Sequence, residues 1–193
     1  MKQPPEDLAQ KLIDASSQFG GTGLDVSMDQ VAQAADVPRA TLYYYFSGKE
    51  DIVNFYLSHK LDSVSTAMEN AAASEGTVVD RLGEVVRAVL SAMAAQPALC
   101  TELPEALRRA QASFSEVAMK AEVVMRQPLR NLLIEGRANG ELSVPDIELA
   151  IDAIHGALGQ VALIRLTRDG ELDADAVADT LVPLIISGIS AER

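Results

Sequence analysis

Between Val26 and Glu50 the chain gathers side chains suited to binding a nucleic-acid duplex: Arg39, Thr41, three successive tyrosines at Tyr43, Tyr44 and Tyr45, and Lys49. The whole chain has only four tyrosines, so three in one run is more than a core alone explains. Successive helical positions are turned by about 100°, so at least one ring must leave the apolar face that Leu42 and Phe46 define. An exposed tyrosine hydroxyl is a competent donor to a phosphate oxygen. Arg39 and Thr41 stand near the start of the same segment, where a reading helix meets base edges. Lys49 opens the next helix, where its charge and the backbone N–H groups can both meet a phosphate.

Catalytic chemistry is poorly supplied by comparison. The two histidines, His59 and His155, and the single cysteine, Cys100, form no metal-ligand spacing such as HExxH or CxxC. There is no GxSxG elbow, GxGxxG loop or Walker loop. His155 shares a helix with Ile151, Ile154 and Leu158 and reads as a hydrogen-bonded pocket or interface histidine. Cys100, beside Leu99 and near Pro97, reads as a small buried thiol, with redox sensing as the alternative. The acidic stretch 169–175 reads as solvated turns and helix starts. No enzyme activity, cofactor or metal is expected.

The elements that must position Arg39 and the tyrosines can be read locally. Ser27 followed three residues later by Gln30 forms a capping box that starts a helix with Met28, Val31, Ala32 and Ala35 on one face. That pattern stops at Asp36, a residue type that tolerates the left-handed turn conformation. Pro38 has a preset φ and no N–H to satisfy, so it suits the first turn of a second helix running from Arg39 through Ala40 and Thr41 to Tyr45. Ser47 with Glu50 predicts a second capping box, opening a third and longer helix. A leading helix with Leu8, Leu12, Ile13 and Ala15 packs across the two motif helices, ended by Gly20, Gly21 and Gly23.

Beyond the motif the chain reads as helical throughout. The third helix continues over 51–73 and joins head to body without a flexible linker. Further helices are expected at 77–95, 97–110, 113–139, 145–167 and 173–190, with breaks at 74–76, 96–97, 139–140 and 169–170. No segment has a convincing period of two, so an all-α fold is expected.

Composition bounds this reading. A chain of 193 residues with 48% apolar content can bury a core as one or two domains. One cysteine forms no internal disulfide, and no N-terminal run is apolar enough for a signal peptide or membrane span. A soluble cytoplasmic protein with no membrane partner is expected. The net charge is −12, and residues 1–50 carry four basic side chains (Lys2, Lys11, Arg39, Lys49) against seven acidic ones, a balance of −3. The basic footprint usual for a nucleic-acid binder is missing in sum. Attraction must then come from local placement, which predicts weak non-specific binding but leaves base readout to a few positioned side chains.

With Phe19-Gly20, Val31-Ala32, Ala35-Asp36-Val37, Thr41 through Phe46 and Lys49-Glu50 in this order and spacing, the chain resembles a TetR-type transcriptional regulator over roughly its first quarter. It departs from that pattern at Asp36, where glycine is usual, and at Asp29, where a basic residue is common. The resemblance implies a three-helix helix-turn-helix DNA-binding domain over 1–50 and a helical ligand-binding and dimerisation domain over 51–193. It places Ser27, Arg39, Ala40, Thr41, Tyr43, Tyr44, Tyr45 and Lys49 at DNA-contacting positions. It further implies a homodimer on double-stranded operator DNA, a repressor released from a palindromic operator by a small hydrophobic effector. Half-sites would then lie ~34 to 36 Å apart, or a multiple of that.

Two sets of apolar residues take their meaning from the same resemblance. Ile147, Ile151, Ile154, Leu158 and Val161 recur at alternating spacings of four and three, and Val177, Leu181, Leu184 and Ile185 make a second stripe. Such stripes serve a protomer core equally well; the resemblance favours a four-helix dimer interface. Met68, Met93, Leu103, Leu107, Phe114, Met119, Met125 and His155, on the middle helices, are candidates for lining the effector pocket, against a plain core role. Pro97, Pro104 and Pro128 bend or interrupt those helices and could open the cavity. The alternative reading is a helical small-molecule binding protein whose DNA-binding function is weak or lost.

Overall fold

The computed structural model describes residues 3–19, 26–101, 104 and 116–189. Regular structure among them is helical. The helices are α1 (Glu6–Ser16, followed by a 3-10 turn, Ser17–Phe19), α2 (Met28–Ala34), α3 (Arg39–Tyr45), α4 (Lys49–Ala72) and α5 (Val78–Ala95). They continue with α6 (Ala98–Thr101), α7 (Glu116–Ala121), a π-helical turn (Glu122–Arg126), α8 (Gln127–Ala138), α9 (Ile147–Asp169) and α10 (Ala174–Ile189).

Local chemistry explains the head. The Gln30 N–H donates to Ser27 Oγ at 3.3 Å and the Ser27 N–H donates to Gln30 Oε1 at 2.9 Å, completing the expected capping box. Asp36 turns the chain with φ +51, in the left-handed region. Pro38 caps α3 in an extended conformation. At α4 the expected pairing of Ser47 with Glu50 does not form. The N-cap is Gly48, and Asp51 accepts from the Ser47 N–H at 2.7 Å. Starting the helix one residue later makes Asp51 the third helical position, so Asp51 is the carboxylate that reaches back.

The middle of the chain departs from a plain helix at one place. Segment 113–139 was expected as one helix, and from Glu116 to Ala138 it is continuous except for the π turn. Pro128 lies just beyond that turn. It has no N–H for the carbonyl four residues back, and its ring crowds that carbonyl, so the preceding turn widens. The helix expected at 97–110 is described only as α6, and residues 102, 103 and 105–110 lie outside the described residues.

Side-chain packing falls into two clusters. The head cluster joins Leu8, Leu12 and Ala15 of α1, Val31 and Ala32 of α2, Leu42, Phe46, and Ile52 and Tyr56 of α4. The body cluster joins Leu57, Leu61, Val64 and Met68 of α4 to α5, α8, α9 and α10. At the far end of α4, Arg81 donates to the Ala72 carbonyl at 2.8 Å and grips Glu135 through both terminal nitrogens at 2.7 and 3.1 Å. That one side chain ties α4, α5 and α8.

The body cluster changes the reading of the apolar stripes. Ile151, Ile154 and Leu158 of α9 and Val177 of α10 are buried within the protomer. They complete its core because α5 and α8 already cover that face, so they are not free to meet a partner. Ile147, Val161, Leu181 and Ile185 are half-buried, while Leu184 is exposed. Met68, a pocket candidate, is sealed in the same core. Truncating Leu12→Ala, fully buried where α1 crosses the head, is expected to destabilise the protein by about 2–5 kcal/mol, read by urea unfolding of the purified variant.

Candidate functional site

The side chains around α3 present two faces. Leu42 is fully buried, whereas Arg39 and Ala40 are exposed, Thr41 is half-buried, and Tyr43 and Tyr44 are 48% and 61% exposed. Tyr45 is half-buried and meets the Tyr44 ring edge-on at a centroid distance of 4.9 Å. Arg39 pairs with Asp29 of α2 at 2.7 Å, and its Cζ stands 5.6 Å from the centre of the Tyr43 ring. A hydrogen bond to the Tyr43 side chain and the charge of Asp29 both raise the Arg39 pKa. Ser27 is exposed at the start of α2 and Lys49 is exposed at the start of α4. Seven of the eight expected positions therefore have exposed or partly exposed side chains along one stretch from α3 to the start of α4, and Ser27 caps the neighbouring helix.

A second feature lies in the body, a cavity of about 750 Å³ between α5, α6, α7, the π turn and α9. Met93, Leu99, Cys100, Pro104, Ala118, Ala121, Met125 and Leu163 give it an apolar wall, and Thr101, Glu122, Arg126, His155, Gly159 and Gln160 line the remainder. Met93, Met125 and His155 were expected there. Met119 is 58% exposed, because its position on α7 lies opposite the wall formed by Ala118 and Ala121. Leu103, Leu107 and Phe114 lie outside the described residues. The sequence reading missed the small residues that make the space. A usable signal was present in the spacing of four that sets His155, Gly159 and Leu163 on one face of α9.

The polar groups of the cavity are constrained by their neighbours. Burial is the largest influence on His155 and holds its pKa below the ordinary value, assisted by the Arg126 charge and opposed by a bond to the Met125 backbone, Asp152 and Glu122. The imidazole is therefore neutral at physiological pH, and its buried Nε2 has no partner among the described residues. Donation to the Met125 carbonyl fixes the other ring nitrogen as the donor, so Nε2 is an acceptor. Arg126 is shared among Glu122, Glu148 and Asp152, which compensates its charge. Burial pushes the Cys100 thiol up to about 11, which makes it a poor nucleophile and a poor redox sensor.

One side chain joins the cavity wall to α4. Lys120 of α7 pairs with Asp62 at 2.6 Å and donates to Ser58 Oγ at 3.0 Å. It stands beside Ala118 and Ala121, which face the cavity. No cluster of three or more possible metal ligands occurs among the described residues.

Known proteins share both halves of this arrangement. The profile of bacterial regulatory proteins of the tetR family matches residues 13–54, and that of the tetracyclin repressor-like C-terminal domain matches residues 75–189. The chain is 26% identical over 166 residues to the fatty acid metabolism regulator protein of Bacillus subtilis (strain 168), covering 84% of each. The solved fatty acid degradation regulator FadR of Bacillus halodurans superposes with a TM-score of 0.78 at 24% identity, covering 97% of this chain and 98% of that one. FadR of Bacillus subtilis in complex with stearoyl-CoA gives 0.77 at 24% identity, covering 93% and 98%. The ketosteroid regulator KstR2 of Mycobacterium tuberculosis gives 0.73 at 20%, covering 98% of both chains. With the second profile alone spanning more than half of its length, the chain belongs to the TetR family of DNA-binding transcriptional regulators.

Proposed function

We propose that this regulator is a homodimeric repressor, released from a palindromic operator when an acyl-CoA with a long apolar chain occupies the body cavity. The observation that carries the reading is an apolar cavity of about 750 Å³ whose wall is pinned by Lys120 to α4, the helix that also enters the head cluster. The named ligand of the FadR structure from Bacillus subtilis, stearoyl-CoA, supplies the chemical class. In this reading residues 1–50 are the DNA-binding head and 51–193 the effector and dimer domain. Arg39, Ala40, Thr41 and Tyr43 read or pack against base edges, while Ser27, Tyr44, Tyr45 and Lys49 meet the phosphate backbone. Ligand binding favours a geometry in which the two heads no longer match both half-sites, a population shift set by differential affinity. Acting on chromosomal DNA, the protein works in the cytoplasm.

The dimer face follows from what the protomer leaves uncovered. The most apolar window of α9 has a mean hydropathy of 1.5, enough by length and composition to cross a membrane, yet only 22% of it is buried. Leu149 and Ile164 of α9 and Leu184 of α10 are exposed, with the small residues Ala153 and Gly156 on the same side of α9. A partner's matching helices would cover this surface, and small residues let the helix axes approach. The head's charge balance of −3 favours a second reading, a small-molecule binding protein with weak or lost DNA function.

Two measurements test the proposal. Arg39→Ala and Tyr43→Ala are each expected to weaken binding to DNA upstream of the protein's own gene by about tenfold or more in fluorescence anisotropy, with unchanged thermal stability. Parental binding by both variants overturns the assignment of Arg39 and Tyr43 as DNA contacts, whereas a parent that binds this DNA no better than an unrelated duplex supports the second reading. For the effector, release by octanoyl-, lauroyl- and palmitoyl-CoA should strengthen by about fourfold per methylene until the cavity is filled, from ~0.8 kcal/mol per buried CH2. A side chain at position 159 meets open space facing the cavity. Gly159→Phe should therefore abolish the response to palmitoyl-CoA while operator affinity stays at the parental level.

A further inference from the structure

Asp29 is an acid on the side of the head that, in the reading above, faces a polyanion. It is 58% exposed at its side chain and lies 2.7 Å from Arg39 Nε, spanning the turn between α2 and α3. An exposed ion pair of this kind adds little to folding stability. It is also one of the seven carboxylates that leave the head with an excess of three negative charges. On electrostatics alone this residue opposes DNA binding.

The geometry of the contact gives Asp29 a different role. Recognition of guanine by arginine uses a fork of two donors directed at O6 and N7 in the major groove. Asp29 engages the guanidinium at Nε, a nitrogen that a fork of the two terminal nitrogens does not require. The Tyr43 side chain, one turn further along α3, contacts the same guanidinium. Arg39 is thus held on two sides before DNA arrives. A long side chain that is already ordered loses less freedom on forming a directional pair, and a held side chain is less able to reach a nearby phosphate instead.

We propose that Asp29 is a positioning residue that buttresses Arg39 for reading a single guanine in each operator half-site, raising sequence discrimination while lowering general affinity for DNA. The proposal rests on α3 being the base-reading helix. It predicts effects of opposite sign from one substitution. Removing Asp29 removes repulsion from phosphates, so affinity for an arbitrary duplex rises. It also frees Arg39 to swing, so preference for the guanine falls.

The test uses the full-length protein and a duplex that it selects from a random-sequence pool, with binding measured by anisotropy on that duplex, on every single-base variant of one half-site, and on an unrelated duplex. Arg39→Ala should flatten one guanine position by about tenfold or more. Asp29→Ala should flatten the same position by roughly three- to tenfold and tighten binding to the unrelated duplex. Asp29→Asn, which keeps an acceptor oxygen, should recover most of the discrimination, and in an Arg39→Ala background Asp29→Ala should change base preference no further while still tightening binding to every duplex. If Arg39→Ala alters no base preference, or weakens all duplexes alike, α3 or Arg39 does not read bases there and the buttress falls with it. If Arg39→Ala flattens a guanine position and Asp29→Ala leaves it intact, α3 still reads DNA and the buttress alone is overturned.

Discussion

The structure depends on α4 being buried at both ends of its length in two different cores. Ile52 and Tyr56 are held in the head cluster, and Leu57, Leu61, Val64 and Met68 in the body cluster, with no break in the helix between them. Twenty-four residues at ~1.5 Å each make a rod of about 36 Å. Such a rod moves as a unit, so a displacement of its body segment must reposition the head. At the junction the Tyr56 hydroxyl is buried with no partner among the described residues, and burial pushes its pKa up to about 12.

The cavity is joined to this rod through its wall. Between α7 and α8 the π turn contributes Glu122, Met125 and Arg126 to the lining, and α7 contributes Ala118 and Ala121. Arg126 and Arg130 clamp this wall to α9 through Glu148, whose carboxyl is held down to about 2, chiefly by Arg130 and then by Arg126. On the other side Lys120 fastens the wall to Ser58 and Asp62 in the middle of α4. The wall is therefore fixed by charged contacts to both neighbours while Ala118, Ala121 and Met125 keep much of its inner face apolar. Under the proposed function, a ligand that wedges α9 from α7 would meet the clamp at one end and move Lys120 at the other, a physical route from cavity to head without direct contact.

Most of the head was legible in sequence because its signals are local. Ser27 with Gln30, the left-handed Asp36 and Pro38 each act within four residues, and the structure forms all three features. The failures arose where one pattern has two physical solutions. Ser47 and Asp51 satisfy the start of α4 as well as Ser47 and Glu50 would, and a shift of one residue decides between them. The stripe of Ile151, Ile154 and Leu158 has the same periodicity whether its cover comes from the protomer or from a partner, and here the protomer covers it. The cavity was half legible. Large residues such as Met93 and Met125 announce an apolar environment, but the space itself is made by Ala118, Ala121 and Gly159, which carry almost no hydrophobic signal.

The acidic balance of the head becomes intelligible once its charges are placed. Of the seven carboxylates in residues 1–50, Asp29 is paired with Arg39, and Asp14 accepts from Gln10 at 2.8 Å. Glu6 and Asp7 sit in the first turn of α1 and Glu50 in the first turn of α4, where the helix dipole favours negative charge. The carboxylates at the helix starts serve the fold of the head, and the summed charge of −3 weakens general attraction to phosphates. For a regulator that must find one site among a genome of competitors, the relevant quantity is the ratio of specific to non-specific affinity. Lowering the denominator raises that ratio as effectively as adding a contact. On the proposed assignment, an acidic head with a few well-held readers is therefore a coherent solution to DNA recognition, in which base contacts at Arg39 and its neighbours would carry a larger share of the selectivity than charge does.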